Sequence, residues 1–383
     1  MDKRATYADV GGHIHRFKAV ASLLNIGENA LRASVKESGI DVPRANALNP
    51  KAPAVQLYSI PKIFEVANYR RERHGLGLEG KKPVIIAVEI IKGGTAKTTT
   101  AAELTVHLQL QGLKVLAIDL DVQANLTHLM GYESDIQADE LDKYDYLAPE
   151  AVVSETFLTV CRPYIEEAAL TSALFPPSSL DIKRPYGEYG PALIPSDIFL
   201  GDLERDIVGA RGPRETFFRR FFADSAAGKV PALKVSDYDV IVLDCPPHTS
   251  YITTNAIALA DIIIAPVRME AFSVKGLSKL IQEIHSLRMH YPNEGIDPEL
   301  LVLPTYFTPN LQRNARMQAT ITNFHVTVAP IVIAQSEEFP KSLAFNMPLS
   351  LIKPRADGAK QYQQFATLIY DKAKAIAKAK AGG

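Results

Sequence analysis

Apolar positions along the first eighty residues recur at helical spacing. Ala19, Val20, Leu23 and Leu24 mark one stripe in FKAVASLLN, and Ala30, Leu31 and Val35 mark another in ENALRASVKESG, with Gly27 in the turn between them. This spacing over Phe17–Gly39 predicts two helices around a short turn, the pattern of a helix-turn-helix. Leu57–Arg73 (LYSIPKIFEVANYRRER) predicts a short strand-like entry and a further helix ending in Arg70, Arg71 and Arg73. A Gly-rich run from His74 to Pro83, with Gly75, Gly77 and Gly80, breaks the helical period and reads as a linker. It divides the chain into a helix-turn-helix domain over 1–80 and a larger domain over 81–383.

Past that run the pattern changes to short buried strands alternating with helices. Val84–Ile91 (VIIAVEII) reads as one apolar run, as a central parallel strand covered on both faces requires. KGGTAKTTT (Lys92–Thr100) and the helical AAELTVHLQLQG follow. Leu113–Tyr132 opens with a second buried strand and Tyr238–Ser250 (YDVIVLDCPPHTS) with a third. This order predicts an α/β fold: a doubly wound, mostly parallel sheet, beside a small, mainly helical amino-terminal domain of winged or helix-turn-helix type.

Strand, glycine loop and helix in that order form a phosphate-binding arrangement. The loop turns its amides and the helix terminus toward an anion, Gly93 and Gly94 permit close approach, Lys97 neutralises phosphate oxygens, and Thr98 can ligate magnesium. The candidate nucleotide set is therefore Lys92, Gly93, Gly94, Thr95, Ala96, Lys97, Thr98 and Thr99. A plain glycine-rich turn before a helix is the bland alternative, but it does not call for Lys-Thr at the helix start. Asp119 and Asp121 close the second strand and Asp244 the third, where carboxylates can orient a water or hold a metal's hydration shell. Asp119 can equally be a helix cap.

Lys92, standing just before the two glycines, resembles the signature lysine of the deviant Walker A family, which includes ParA partition ATPases, MinD, ArsA and the nitrogenase iron protein. The resemblance implies ATP and ADP with magnesium as cofactors, and a homodimer closed by ATP in which Lys92 reaches the partner's nucleotide. It implies catalytic roles for Lys92, Lys97, Asp121 and Asp244, and metal contacts for Thr98, Asp121 and Asp244. Asp121 matches the residue that positions the attacking water, within a segment similar to the family's DLDPQ, although Val122 stands in place of Pro. Ala96 departs from the Gly usual before the lysine, which costs about 1 kcal/mol if the position requires positive φ. Thr305, Phe307 and Pro309 fall where the family's adenine-framing loop is expected.

Composition narrows the family. Two cysteines, Cys161 and Cys245, are too few for a bridging cluster or a disulfide framework, and imply a reducing, cytoplasmic setting. A single phosphate loop disfavours ArsA. The carboxyl end (DKAKAIAKAKAGG) lacks the bulky apolar face of a membrane-anchoring helix, so no membrane partner is expected. Residues 1–82 carry 14 Lys or Arg against 8 Asp or Glu, which leaves the rest of a chain of net charge −1 distinctly acidic.

That asymmetry points the amino-terminal part at DNA. Asn29, Arg32 and Lys36 on the second helix suit base edges and phosphates of a major groove, and Arg70 and Arg71 suit phosphates. The family's sequence-independent DNA binding directs attention to Arg313, Arg316, Lys341, Lys353 and Arg355 in the carboxyl half.

The reading is an ATPase for plasmid or chromosome partition, nucleoid-associated, whose ATP-bound dimer coats DNA and is released by hydrolysis stimulated by a ParB-type partner. Autorepression of its operon through the first domain is expected with it. The alternatives are a nucleotide-gated, sequence-specific repressor, a positioning ATPase for a cargo other than DNA, and an ATP-dependent synthase sharing the loop.

Overall fold

The computed structural model describes residues 6–48, 50–80, 82–136, 138–144, 146–169, 180–268, 273–308 and 324–382. At the amino terminus, β1 (Ile14–Arg16) pairs antiparallel with β2 (Leu57–Ser59), Ile14 facing Ser59. Between them lie α1 (Phe17–Leu23), α2 (Glu28–Ser38) and the single turn α3 (Ala45–Leu48). The chain turns from α1 to α2 through Asn25 in the left-handed region, and Gly39, at φ 68°, stops α2 where a side chain would be strained. Helix α4 (Ile60–His74) starts with Pro61 in its first turn and ends at left-handed Gly75.

The larger part is a seven-stranded, wholly parallel sheet in the order β5, β4, β6, β3, β7, β8, β9. Its strands are β3 (Val84–Val88), β4 (Val115–Asp119), β5 (Ala192–Ile194), β6 (Val240–Asp244), β7 (Ile262–Arg268), β8 (Glu299–Thr305) and β9 (Thr327–Val328). Every residue of β3, β4, β5 and β6 is buried, as expected for strands covered on both faces. The apolar run Val84–Ile91 is interrupted by Glu89, and β3 stops one residue before it.

Helices α5 (Lys97–Leu110), α6 (Asn125–Leu129), α7 (Phe157–Ala169), α8 (Asp202–Gly209), α9 (Phe217–Ala226), α10 (Tyr251–Leu259) and α11 (Ser273–His290) follow in chain order. Near the carboxyl end come α12 (Glu338–Leu343), the one-turn α13 (Leu349–Ile352) and the long α14 (Asp357–Gly382). One apolar core joins Ile85, Ala87 and Ile241 of the sheet to α7 through α11. A second joins Val84, Ile86 and Val242 to α5, α14 and the amino-terminal module, including Leu23, Leu31, Ile63 and Phe64.

The amino-terminal module is thus a third layer over α5. With α13 and α14 packed beside it as well, that layer leaves α5 buried almost all round, and its polar Glu103 and His107 meet Ser350 of α13. Phe64 of α4 stacks on Tyr186 with ring centroids 5.7 Å apart and planes within 7°. Arg71 forms an ion pair with Asp239 and donates to the carbonyl of Gly112. The Gly-rich run is pinned beside this pair, since Leu78 N donates to Asp239 Oδ1 at 3.2 Å. It follows the surface rather than hanging free of it.

Candidate nucleotide site

Strand register assembles the site. Val88 of β3 lies opposite Asp244 of β6, and Asp244 lies opposite Asp119 of β4, so three carboxyl ends finish in one row beneath the loop Lys92–Ala96. The sheet order reverses around β3, and the crevice at such a switch point is where open α/β sheets take their ligands. Gly93 and Gly94 border open space, and Gly94 has φ 71°. Ala96 caps α5 in the left-handed region at φ 72° and ψ 30°, so the position does require positive φ and Ala pays a strain that Gly would not.

Lys97 is buried, and its ammonium donates to the carbonyls of Ile90 at 3.3 Å and Lys92 at 2.9 Å. Asp244 is fully buried with neither oxygen in hydrogen-bond geometry. Desolvation, reinforced by the charge of Asp119, pushes its carboxyl well above the usual range, while the Thr98 hydroxyl and the Lys97 ammonium draw it down. Asp121 accepts from Gln123 N at 3.1 Å.

Asp119 is saturated instead. Its oxygens accept from Asp121 N at 3.1 Å, Thr127 N at 2.9 Å and Thr127 Oγ1 at 2.7 Å, and burial lifts it to about 6. It anchors the first turn of α6 from the end of β4, while Ala124 holds the N-cap position itself.

Sequence reasoning passed over Glu89. It is wholly buried beside this row, and neither of its oxygens has a hydrogen-bond partner. Burial pushes its carboxyl well up, and Lys97 is the charge that pulls it back. The signal was present as the one charged residue inside VIIAVEII.

Thr305 ties β8 to the loop by donating to the Thr95 carbonyl at 3.1 Å. It also lines a pocket of about 90 Å³ with Ala96, Thr99, Tyr306, Gln335, Phe339 and Tyr362. Phe307 does not line this pocket and bridges to Ala334 instead. Gln335 and Phe339 carried no motif that marked them, because only the fold brings them to the loop. Pro309, Arg313 and Arg316 lie outside the described residues.

Asn29, Arg32 and Lys36 are exposed at helical spacing along one stripe of α2, with the Arg32 guanidinium 5.6 Å from the Phe17 ring centroid. Arg70 donates to Ser34 Oγ at 3.0 Å and braces α4 on α2. Arg71 is engaged by Asp239 and Gly112 rather than turned to solvent. Lys341 and Lys353 both pair with Glu338, and Arg355 is exposed near them. The structure therefore separates the exposed α2 stripe from the two arginines that hold the module together.

The donors around Asp244 are all oxygen: a threonine hydroxyl and two or more carboxylates, with an orphaned buried carboxylate at the centre. That set suits a hard divalent cation such as magnesium, and the adjoining amide loop with a buried lysine suits a polyphosphate. No helix among the described residues is long and apolar enough to cross a membrane.

A family model described as AAA domain (AAA_31) matches residues 83–297. The chain is 29% identical over 289 residues to a putative replication protein A of Rhizobium rhizogenes, covering 72% of this chain and 63% of that protein. It is 28% identical over 283 residues to the sporulation initiation inhibitor protein Soj of Bacillus subtilis, covering 74% of this chain and 96% of Soj. A putative plasmid partition protein from Borrelia burgdorferi, solved bound to AMPPNP, shares the fold with a TM-score of 0.53 at 20% identity, over 76% of this chain and 99% of that one. The chain spans just under two thirds of the replication protein's length.

Proposed function

The chain belongs to the AAA domain family and carries a ParA-type ATPase core, and from that premise we propose that it is an ATP-driven switch for DNA partition. The observation that carries this reading is the row of Val88, Asp244 and Asp119 under a loop holding both Lys92 and Lys97.

The chemistry is attack of water on the γ-phosphorus of ATP, giving ADP and phosphate. Lys97 leaves the carbonyls of Ile90 and Lys92 for phosphate oxygens and balances their charge. The Gly93–Gly94 amides approach the same oxygens because no side chain intervenes. Asp121, held through Oδ1 by the Gln123 amide, aligns the water. Thr98 and Asp244 would hold magnesium, which would supply positive charge to the phosphates when bound. Lys92 serves the nucleotide of a second copy, which makes closure of a homodimer depend on ATP.

In this reading the closed dimer binds DNA of any sequence through basic residues of the carboxyl half, at the nucleoid. A ParB-type partner stimulates hydrolysis and release. The exposed stripe of Asn29, Arg32 and Lys36 reads an operator and gives autorepression.

The test is co-sedimentation of the protein with DNA of unrelated sequence in ATP, ADP or no nucleotide. Binding that requires ATP, ignores sequence and weakens with salt is expected. Binding indifferent to nucleotide overturns the switch, and binding confined to one operator leaves a repressor in its place.

A further inference from the structure

Successive turns of α5 are bonded to the two elements that hold the amino-terminal module. Thr100 Oγ1 lies 2.9 Å from the Tyr362 hydroxyl of α14. One turn on, Glu103 accepts from Ser350 N at 3.3 Å and from the Ser350 hydroxyl. Another turn on, His107 Nε2 lies 2.8 Å from Ser350 Oγ. All five residues are buried.

Each of the two partners leads directly to the module. Leu351, next to Ser350 in α13, offers its carbonyl to His15 Nε2 of β1 at 2.7 Å. Gln363, next to Tyr362 in α14, donates to the carbonyls of Ser22 and Leu23 at the end of α1. Two polar routes thus run from the helix that begins with Lys97 to the two elements leading into α2.

The two routes differ in the element that carries them. Helix α13 is a single turn between left-handed Asn346 and Pro354, whereas α14 is a rod of 26 residues. The bond of α13 to α5 is hard to break. Were Ser350 to stay behind while α5 moved, Glu103 would be left buried without its hydroxyl and amide donors, at the full desolvation cost of those lost bonds. A shift of α5 on phosphate binding is therefore followed by α13 rather than absorbed at the contact.

We propose that occupancy of the phosphate loop is transmitted to β1, α1 and α2 through Ser350, which acts as a positioning residue between α5 and the amino-terminal module. The proposal rests on nucleotide binding at Lys97 and not on any role in partition. It places the α2 stripe under control of the nucleotide site without contact between them.

Hydrogen exchange on the full chain, with and without a non-hydrolysable ATP analogue and magnesium, tests it. Wild type is expected to gain protection at 92–100 and to change exchange at 14–38 by at least about twofold. Ser350→Ala is expected to keep the first response, with unchanged analogue affinity, and to lose the second; Ser350→Thr restores it. Should Ser350→Ala fail to fold, His15→Leu cuts the same route and has the same expected result.

A wild-type response at 92–100 with silence at 14–38 overturns the inference alone. So does a response at 14–38 that survives in these variants. No response at 92–100 overturns the nucleotide reading and this inference with it.

Discussion

The ammonium of Lys97 is bonded to the carbonyl of Lys92 at 2.9 Å, so the two lysines that define the loop are joined through its own backbone. A phosphate has to displace that carbonyl, and Lys97 can supply charge only once it has. Lys97→Ala should reduce ATP turnover by roughly 10² to 10³, the range for removing a preorganised donor to developing charge. A phosphate-release assay checks it, and undiminished turnover would sink the enzymatic reading.

Lys92 contributes a carbonyl at home and, in the proposed dimer, a side chain abroad. Lys92→Ala keeps that carbonyl. It should bind nucleotide much as wild type does, yet fail to dimerise with ATP; a normal ATP-dependent dimer in sedimentation would contradict the role assigned to the side chain.

Ala96 at φ 72° makes the loop slightly more costly than it needs to be. Ala96→Gly relieves the left-handed strain but gives back some unfolded-state entropy, for a net gain of up to about 1 kcal/mol. Urea melts read the difference. A loss of stability would show that the alanine is not held there.

Arg71 is a brace, with its side chain 20% exposed and that of Asp239 only 11%. Arg71→Ala should cost about 2 kcal/mol or more and leave the salt dependence of DNA binding unaltered. Asp239→Ala should cost at least as much, because this carboxylate also accepts from the Lys114 and Leu78 amides. If Arg71→Ala instead melts like wild type and flattens the salt dependence, the arginine serves DNA.

Glu103 and His107 should make stability depend on pH with opposite signs. Burial raises Glu103 from 4.5 to about 7, so the native chain keeps a proton that the unfolded chain releases, and stability falls as pH rises through that window. Burial lowers His107 from 6.5 to about 4, so the unfolded chain binds the extra proton and stability rises with pH between those values. The two slopes offset one another across most of the range. His107→Gln removes the rising one, and relative to wild type it should gain up to roughly 3 kcal/mol as pH falls from 6.5 to 4. Thermal melts across that range check it, and a constant difference would count against a buried neutral histidine.

Much of this was legible from local pattern. The strand, loop and helix around Lys97 follow from contiguous residues, and so do Asp121 and Asp244, because a strand's last residue is visible where an apolar run meets a carboxylate. The choice between Asp119 as catalyst or helix anchor was not, since it depends on Thr127 coming back across a turn. Arg71 looked like a phosphate ligand because its partner Asp239 is 168 positions away. Glu103 and His107 look like ordinary polar positions of a helix, and only the return of the chain at Ser350 of α13, 247 and 243 positions on, gives them a buried partner.

That third layer also bears on inheritance. A segment joined by a free tether can be exchanged between proteins as a cassette, but the amino-terminal module shares its core with the ATPase through Phe64, Tyr186 and Tyr362. Truncation at the glycine run would strip one face of α5 bare, and a transplanted segment would meet side chains shaped for another. Recombination that moves the first eighty residues has to carry the matching surface of α13 and α14 with it, so the two ends of the chain are expected to change together over generations.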